Sequence, residues 1–332
     1  MSAGPSLCVE NLTIAFPGET GPVKVVDDLS FAVDPGQCLV IVGESGSGKS
    51  MACQALLGIV PAPGIVSGKG IFWSDRNLLQ AGESDWMKVR GAEIAMIFQD
   101  PTAALNPLMP VGRQIVDVVR AHRPVTRAEA ERRAVDVLGQ VGFPDPERRM
   151  RSYPIELSGG LRQRVAIAMA LACSPRLIIA DEATTNLDVS IQAQIIGLLR
   201  DLKDEFGLAI VFVTHDLGLA GQIGDDVIVM YAGHSVERGP VHAVLDRPSH
   251  PYTIGLLNSA PTLQSSRAHP LKPIPGQVPS LAEIGIGAPF RSRCSVVVPG
   301  LCDTVRPGWT RCGENHAVAC HRYALDGIGG VQ

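Results

Sequence analysis

The sequence predicts an α/β fold built on a parallel sheet. Three observations carry that prediction. Three largely apolar runs, "CLVIV" at 38–42, "LIIA" at 177–180 and "AIVFVT" at 209–214, read as strands, the first of them buried. Segments with helical apolar spacing separate them, the alternation that builds parallel sheets. The first run also ends in a glycine-rich turn, "GESGSGKS" at 43–50, with a helical pattern behind it.

Each element has its own signal. Residues 7–16, "LCVENLTIAF", and 29–33, "LSFAV", alternate or run apolar and read as strands. The helix after the glycine turn starts near Ser50, and "EIAMIF" at 93–98 is a further strand. From about 111 to 141 the pattern turns helical. Thr126 with Glu129 makes a capping box there, and Val135, Leu138 and Val141 keep three-residue spacing behind it. "ELSGGLRQR" at 156–164 opens another helix. Ile191, Ile195, Leu198, Leu199, Leu202 and Phe206 mark one face of an amphipathic helix. "VIVMYAGHSVERG" at 227–239 reads as strand, turn, strand. The helical block around 111–172 stands between the glycine turn and "LIIADE", as an insertion would. After about 245 the texture becomes proline-rich, which places a domain boundary near 240–250. Each motif occurs once, so no internal duplication is expected.

The 332 residues carry 29 Lys and Arg against 33 Asp and Glu, a net charge of −4. That balance does not point to a nucleic-acid partner. With 45% hydrophobic and 19% charged residues, the composition is that of a globular protein. The start shows no basic region followed by an apolar run, so no secretion signal is expected. No apolar stretch approaches the ~18–20 residues of a membrane span. The chain is expected to lack its own anchor while remaining able to dock on a membrane protein. Cys8, Cys38, Cys53 and Cys173 sit in apolar surroundings and read as buried small hydrophobes. Cys294, Cys302, Cys312 and Cys320 crowd the tail, where a metal or cluster site fits better than disulfides.

The turn at 43–50 fits G-x-x-x-x-G-K-[ST]. Gly43, Gly46 and Gly48, with Ser45 and Ser47, let backbone N–H groups curl around phosphate oxygens. Lys49 supplies charge to the terminal phosphates and the Ser50 hydroxyl suits Mg²⁺. "LIIADE" ends a buried strand in two carboxylates. Asp181 is expected to hold Mg²⁺ through water, and Glu182 to act as general base on the attacking water. His215 and Gln99 each follow a core strand, where ligands of open α/β sheets bind. His215 suits the γ-phosphate and the general base, and Gln99 suits Mg²⁺ or the water. Phe16 is placed to stack on a base. The helix start at Ser158, Gly159 and Gly160 is a second anion site. It is expected to close over the nucleotide of a second molecule.

Taken together, the set resembles the ATP-binding cassette (ABC) ATPases. "GESGSGKS" is similar to Walker A, with Met51 behind it, and "LSGGLRQR" to the ABC signature, which brings in Gln163. "LIIADEATTNLD" is similar to Walker B running into the D-loop with Asp188, "VTHD" to the switch histidine and "IFQDP" to the Q-loop. Asn186 departs from the Ala or Gly common at its place in that family. The resemblance implies a RecA-like P-loop nucleotide-binding domain over 1–244. It would have an antiparallel β subdomain and an α-helical subdomain at about 101–172. A short cysteine-containing C-terminal extension over 245–332 would follow.

A narrower resemblance rests on "MIFQDPTAALNPLMPVGRQI", "SYPIELSGGLRQRVAIAMALA", "DVSIQAQII", "HPYTIGLLNSAP" and "IPGQVPSL". These are similar to oligopeptide/dipeptide importer ATPases. The resemblance implies ATP and Mg²⁺ and a second ABC ATPase subunit, identical or related. It also implies two transmembrane permeases, an extracytoplasmic solute-binding protein, and a peripheral place on the cytoplasmic face of the inner membrane. A nickel or other small-solute importer ATPase, or a soluble non-transport ABC ATPase, is the alternative. The same resemblance implies a [4Fe–4S] cluster on Cys294, Cys302, Cys312 and Cys320, with zinc or free thiols as alternatives. Ala288 stands where that subfamily has its first cysteine, so Cys312 would have to supply the fourth ligand.

Overall fold

The structure, a computed structural model, describes residues 7–19, 21–185, 187–259 and 273–326. In chain order its strands are β1 (Leu7–Phe16), β2 (Val23–Val33), β3 (Cys38–Val42), β4 (Ile65–Ser67), β5 (Gly70–Trp73), β6 (Arg76–Asn77), β7 (Ile94–Ile97), β8 (Leu177–Asp181), β9 (Ala209–Thr214), β10 (Asp226–Tyr231), β11 (His234–Pro240), β12 (Thr310–Gly313) and β13 (His316–Val318). The chain forms two compact units.

One unit comprises Cys8–Ala32, Leu39–Phe72 and Thr214–Gln332. Its sheet runs β12-β13-β11-β10-β3. β3 lies parallel to β10, from Leu39 opposite Asp226 to Val42 opposite Val229. β3 has no polar side chain, and all five of its residues are buried. β10 and β11 form an antiparallel hairpin. The tail then adds β13 along β11, with Val318 opposite Glu237 and Ala317 opposite Arg238, and β12 beyond it. In the same unit β1 pairs antiparallel with β4, Ile14 opposite Val66.

The other unit comprises Met1–Leu7, Val33–Cys38 and Trp73–Val213. β7, β8 and β9 run parallel, with Ile94 opposite Leu177 and Leu177 opposite Ala209. β8 and β9 are buried along their whole length, as the apolar runs ahead of Asp181 and Thr214 require. The helices Val111–His122, Arg127–Gln140 and Gly159–Leu171 pack on one another. The capping box forms: the Glu129 N–H donates to Thr126 Oγ1 at 3.3 Å, and the Thr126 N–H donates to the Glu129 carboxylate at 2.7 Å.

Three features differ from the sequence expectation. β2 begins at Val23 rather than near 29, because pairing along β1 carries the strand through its charged stretch "VKVVDD". The helical block at 111–141 is two helices, broken where Thr126 caps the second. The helix Glu83–Val89 had no sequence signal beyond its acidic first turn. Among the described residues no helix is long and apolar enough to cross a membrane.

Candidate functional site

The glycine turn at the end of β3 belongs to the first unit described. Gly48 adopts φ 95°, a left-handed conformation, and a Cβ there would stand 2.5 Å from the Val25 carbonyl oxygen. A Cβ on Gly43 would stand 2.1 Å from the Met230 carbonyl oxygen. The backbone therefore passes where only glycine fits. Among the described residues no side chain caps the helix Lys49–Ala55 that follows. Lys49 is buried, and its ammonium folds back over the turn. It donates to the carbonyls of Gly43 at 2.7 Å and Glu44 at 2.9 Å, and to Ser47 Oγ at 3.3 Å. Ser45 and Gly46 are exposed, while Ser50 and Met51 are half-buried. Phe16 at the end of β1 packs its ring against Gly64, where a Cβ would meet it at 2.8 Å. His215 is exposed just past β9, and Asp216 beside it caps the helix Leu217–Ile223.

The second unit holds the carboxylates. Asp181 closes β8 and is buried. Glu182 follows in the left-handed region at φ 46°, which turns its side chain away from the strand. Its backbone N–H donates to the Val213 carbonyl at 3.1 Å. Gln99, past the end of β7, donates through Nε2 to Glu182 Oε2 at 2.9 Å, and Thr185 Oγ1 donates to the same oxygen at 3.3 Å. So Gln99 and Glu182, far apart in sequence, meet. Thr185, inside the "LIIADEATTNLD" stretch but given no role from the sequence, joins them.

Ser158 caps the helix Gly159–Leu171, its Oγ accepting the Leu161 N–H at 3.4 Å. Ser158 and Gly159 are exposed, and a Cβ on Gly160 would meet Ile191 at 2.8 Å. Asp188 is exposed and caps the next helix, accepting the Ile191 N–H at 3.0 Å. Gln163 points inward instead, with no exposed surface and, among the described residues, no hydrogen-bond partner for either amide atom. Its place on the helix puts it behind the motif rather than on the outward face. Arg162 and Arg164 donate to the Pro154 and Val141 carbonyls and so brace the helix from the side. Asn186 lies outside the described residues.

The four-thiol metal site expected in the tail does not assemble. Cys294, Cys302 and Cys320 line one small cavity of about 30 Å³ with Ala288, Phe290 and Val296. Cys312 is on β12, beside Ser249 and Glu237, and does not line it. Burial raises the thiol pKa of Cys294, Cys312 and Cys320. Among the described residues no group of three or more His, Cys, Asp or Glu side chains is placed to hold a metal ion. These residues do not fit an iron–sulfur cluster or a four-cysteine zinc site.

Residues 26–185 match the ABC transporter family, and residues 236–302 match the oligopeptide/dipeptide transporter C-terminal region. A probable peptide ABC transporter ATP-binding protein of Sinorhizobium fredii is 48% identical over 318 residues, covering 95% of this chain and 94% of the relative. The oligopeptide transport ATP-binding protein OppD of Bacillus subtilis is 47% identical over 86% of this chain and 80% of its own. The dipeptide transport ATP-binding protein DppD of Escherichia coli is 42% identical over 97% and 98%. Among solved structures, the ATP-binding cassette MJ0796 in a dimeric post-hydrolysis state bound to ADP and Pi superposes with a TM-score of 0.61. The identity is 26%, over 71% of this chain and 98% of that one. A likeness that runs from the glycine turn through the tail, at such identity, establishes that the chain belongs to the ABC transporter ATP-binding proteins of the oligopeptide/dipeptide family.

Proposed function

We propose that this chain is the ATP-hydrolysing subunit of an importer of di- and oligopeptides, energising uptake through partner permeases by ATP-driven closure of a dimer. The observation that carries the hydrolytic part is the 2.9 Å bond from Gln99 to Glu182, beside buried Asp181 at the end of a core strand. A carboxylate held in one orientation by an amide suits a general base that takes a proton from water. The peptide cargo follows from the relatives, which are peptide, oligopeptide and dipeptide transport ATP-binding proteins.

In this reading Lys49 and the N–H groups of 43–50, including Gly43, Ser45, Gly46, Ser47 and Gly48, take the β- and γ-phosphates, with Met51 behind them and Phe16 on the base. Ser50, Gln99 and Asp181 would hold Mg²⁺, since hydroxyl, amide and carboxylate oxygens are the donors a hard cation takes. When bound, that charge offsets the charge of the phosphates. Glu182 accepts the proton of the attacking water and His215 holds the γ-phosphate. Ser158, Gly159 and Gly160 of a second subunit seal the nucleotide, and Asp188 stands beside them at the shared surface. Gln163 supports the signature helix from inside. Two such subunits, identical or related, close on two ATPs and part after hydrolysis, moving two permeases to which an extracytoplasmic binding protein delivers peptide. The subunit works on the cytoplasmic face of the inner membrane. Residues 1–244 form the cassette and 245–332 its extension. The tail enters as protein alone, without a cluster.

Measuring ATP turnover and ATP binding side by side tests this reading. Glu182→Gln is expected to lower turnover about 100-fold or more while ATP still binds. Lys49→Ala is expected to lose binding itself. Near-normal turnover in Glu182→Gln would remove the general base from this account.

A further inference from the structure

The mechanism above leaves Glu44 unused, although it sits inside the phosphate-binding turn. Every polar group of Glu44 is engaged, and two of its partners, Tyr252 and Arg293, come from far downstream in the chain. Its backbone N–H donates to the Tyr252 hydroxyl at 2.8 Å. Its carbonyl accepts from Lys49 at 2.9 Å. Its carboxylate receives the two arms of the Arg293 guanidinium, at 2.7 Å to Oε2 and 3.1 Å to Oε1. The side chain of Arg293 is only 4% exposed, and that of Glu44 is 30% exposed. Arg293 is itself fixed: its Nε donates to the Pro275 carbonyl at 2.8 Å, and its guanidinium lies 5.8 Å from the Tyr231 ring centroid and 6.0 Å from that of Phe290. Tyr231, Tyr252 and Phe290 contact one another edge to face or tilted, with centroids 4.7 to 5.3 Å apart. All three rings are buried.

We infer that Arg293 is a positioning residue for nucleotide binding. It neutralises Glu44 and, with Tyr252, locks the phosphate-binding turn from the tail. The electrostatic reason is direct. A carboxylate in a phosphate-binding turn repels a triphosphate unless it is paired. A two-pronged guanidinium cancels that charge and also fixes the carboxylate's direction. Burial disfavours the Arg293 charge, yet the hydrogen bonds to Glu44 and Tyr231 hold its pKa above the ordinary value. The tail of this chain therefore completes the nucleotide site.

This inference rests on the reading of 43–50 as an ATP site, and the test separates the two. The full chain is titrated with Mg·ADP by calorimetry, and kcat and KM for ATP are measured in parallel. Lys49→Ala serves as the control for the turn. Arg293→Met is expected to raise the ADP Kd and the ATP KM about tenfold, with kcat within about twofold, because a charge-assisted pair is lost from binding alone. Adding Glu44→Gln to Arg293→Met removes the unpaired carboxylate and is expected to restore most of the affinity. Should Arg293→Met fail to fold, Arg293→Lys carries the test. It keeps the charge without the fork, and about a threefold rise in Kd is expected. Wild-type affinity in the Arg293 variants, or a double variant no better than the single, overturns the inference. If Lys49→Ala loses binding while Arg293→Met keeps it, only this inference falls. If the unaltered chain binds neither ADP nor ATP, the ATP reading falls and takes this one with it.

Discussion

Gly48 shows how one residue decides whether the phosphate turn can form. At φ 95° an alanine pays a conformational penalty, and its Cβ would press on the Val25 carbonyl oxygen at 2.5 Å. No rotamer change relieves a clash with backbone. Gly48→Ala is expected to lower unfolding stability by about 1–3 kcal/mol and to weaken ADP binding together with it. Urea unfolding and calorimetry read both effects, and a variant with unchanged stability and Kd contradicts the account. The glycines, Lys49, Asp181 and Glu182 stand out in the sequence because the roles proposed for them need particular residue types at fixed spacing. Gln163 entered only through the likeness of its motif, and the three-dimensional helix face shows that its side chain is buried. Arg293 had no local signal at all, since its partner Glu44 lies 249 positions away. The tail cysteines crowd together in sequence, yet the β12–β13 hairpin carries Cys312 away from the cavity lined by the others.

At the scale of elements, the buried strands were the most readable parts. β3, β8 and β9 are short and wholly buried, and apolar except for the closing Asp181 and Thr214, so pattern and burial coincide. β12 and β13 carry arginine, cysteine, glycine and histidine in three or four residues each, too short for any periodicity. Their strand state comes from β11 offering an edge, which is tertiary information. The start of the helix Val111–His122 shows a similar contest between local preference and packing. The N–H groups of Val111 and Gly112 donate to the carbonyls of Ser152 and Met150 at 2.9 and 2.8 Å, fastening the helix to the segment that leads into Ser158. By propensity alone, Gly112→Ala would stabilise the helix by up to about 1 kcal/mol. A Cβ there would stand 2.5 Å from Met150 Cβ and 2.7 Å from its carbonyl oxygen. Overpacking of that kind costs about 1–3 kcal/mol, so the clash wins. The urea midpoint of Gly112→Ala is expected to fall, and a rise would show that the interface yields.

At the scale of the whole molecule, the tail is held by a small buried polar network whose protonation links acid stability to the phosphate turn. Glu237 on β11 has no exposed surface. It accepts the backbone N–H groups of Ser249 at 2.7 Å and His250 at 2.9 Å, and it pairs with His316 Nε2 at 2.8 Å. His250 in turn accepts the Tyr252 N–H at Nδ1 at 3.1 Å, which requires a neutral ring. Tyr252 is the residue whose hydroxyl holds Glu44. Burial lowers the His250 pKa from 6.5 to about 4, and His234 is lowered to about 4 chiefly by burial as well. Both shifts have the same sign. Between those values the unfolded chain binds protons that the folded chain refuses, so stability is full above pH 6.5 and is lost as pH falls toward about 4. Over that window His250 alone accounts for roughly 3 kcal/mol. His250→Asn removes the titrating ring. It is expected to flatten the pH dependence of unfolding free energy by about one proton's worth, near 1.4 kcal/mol per pH unit. Urea unfolding of the full chain and the variant across the window measures the slope directly. Equal slopes would mean that His250 is protonated in the fold, that the Tyr252 N–H has another acceptor, and that the tail's grip on the phosphate turn does not depend on acid.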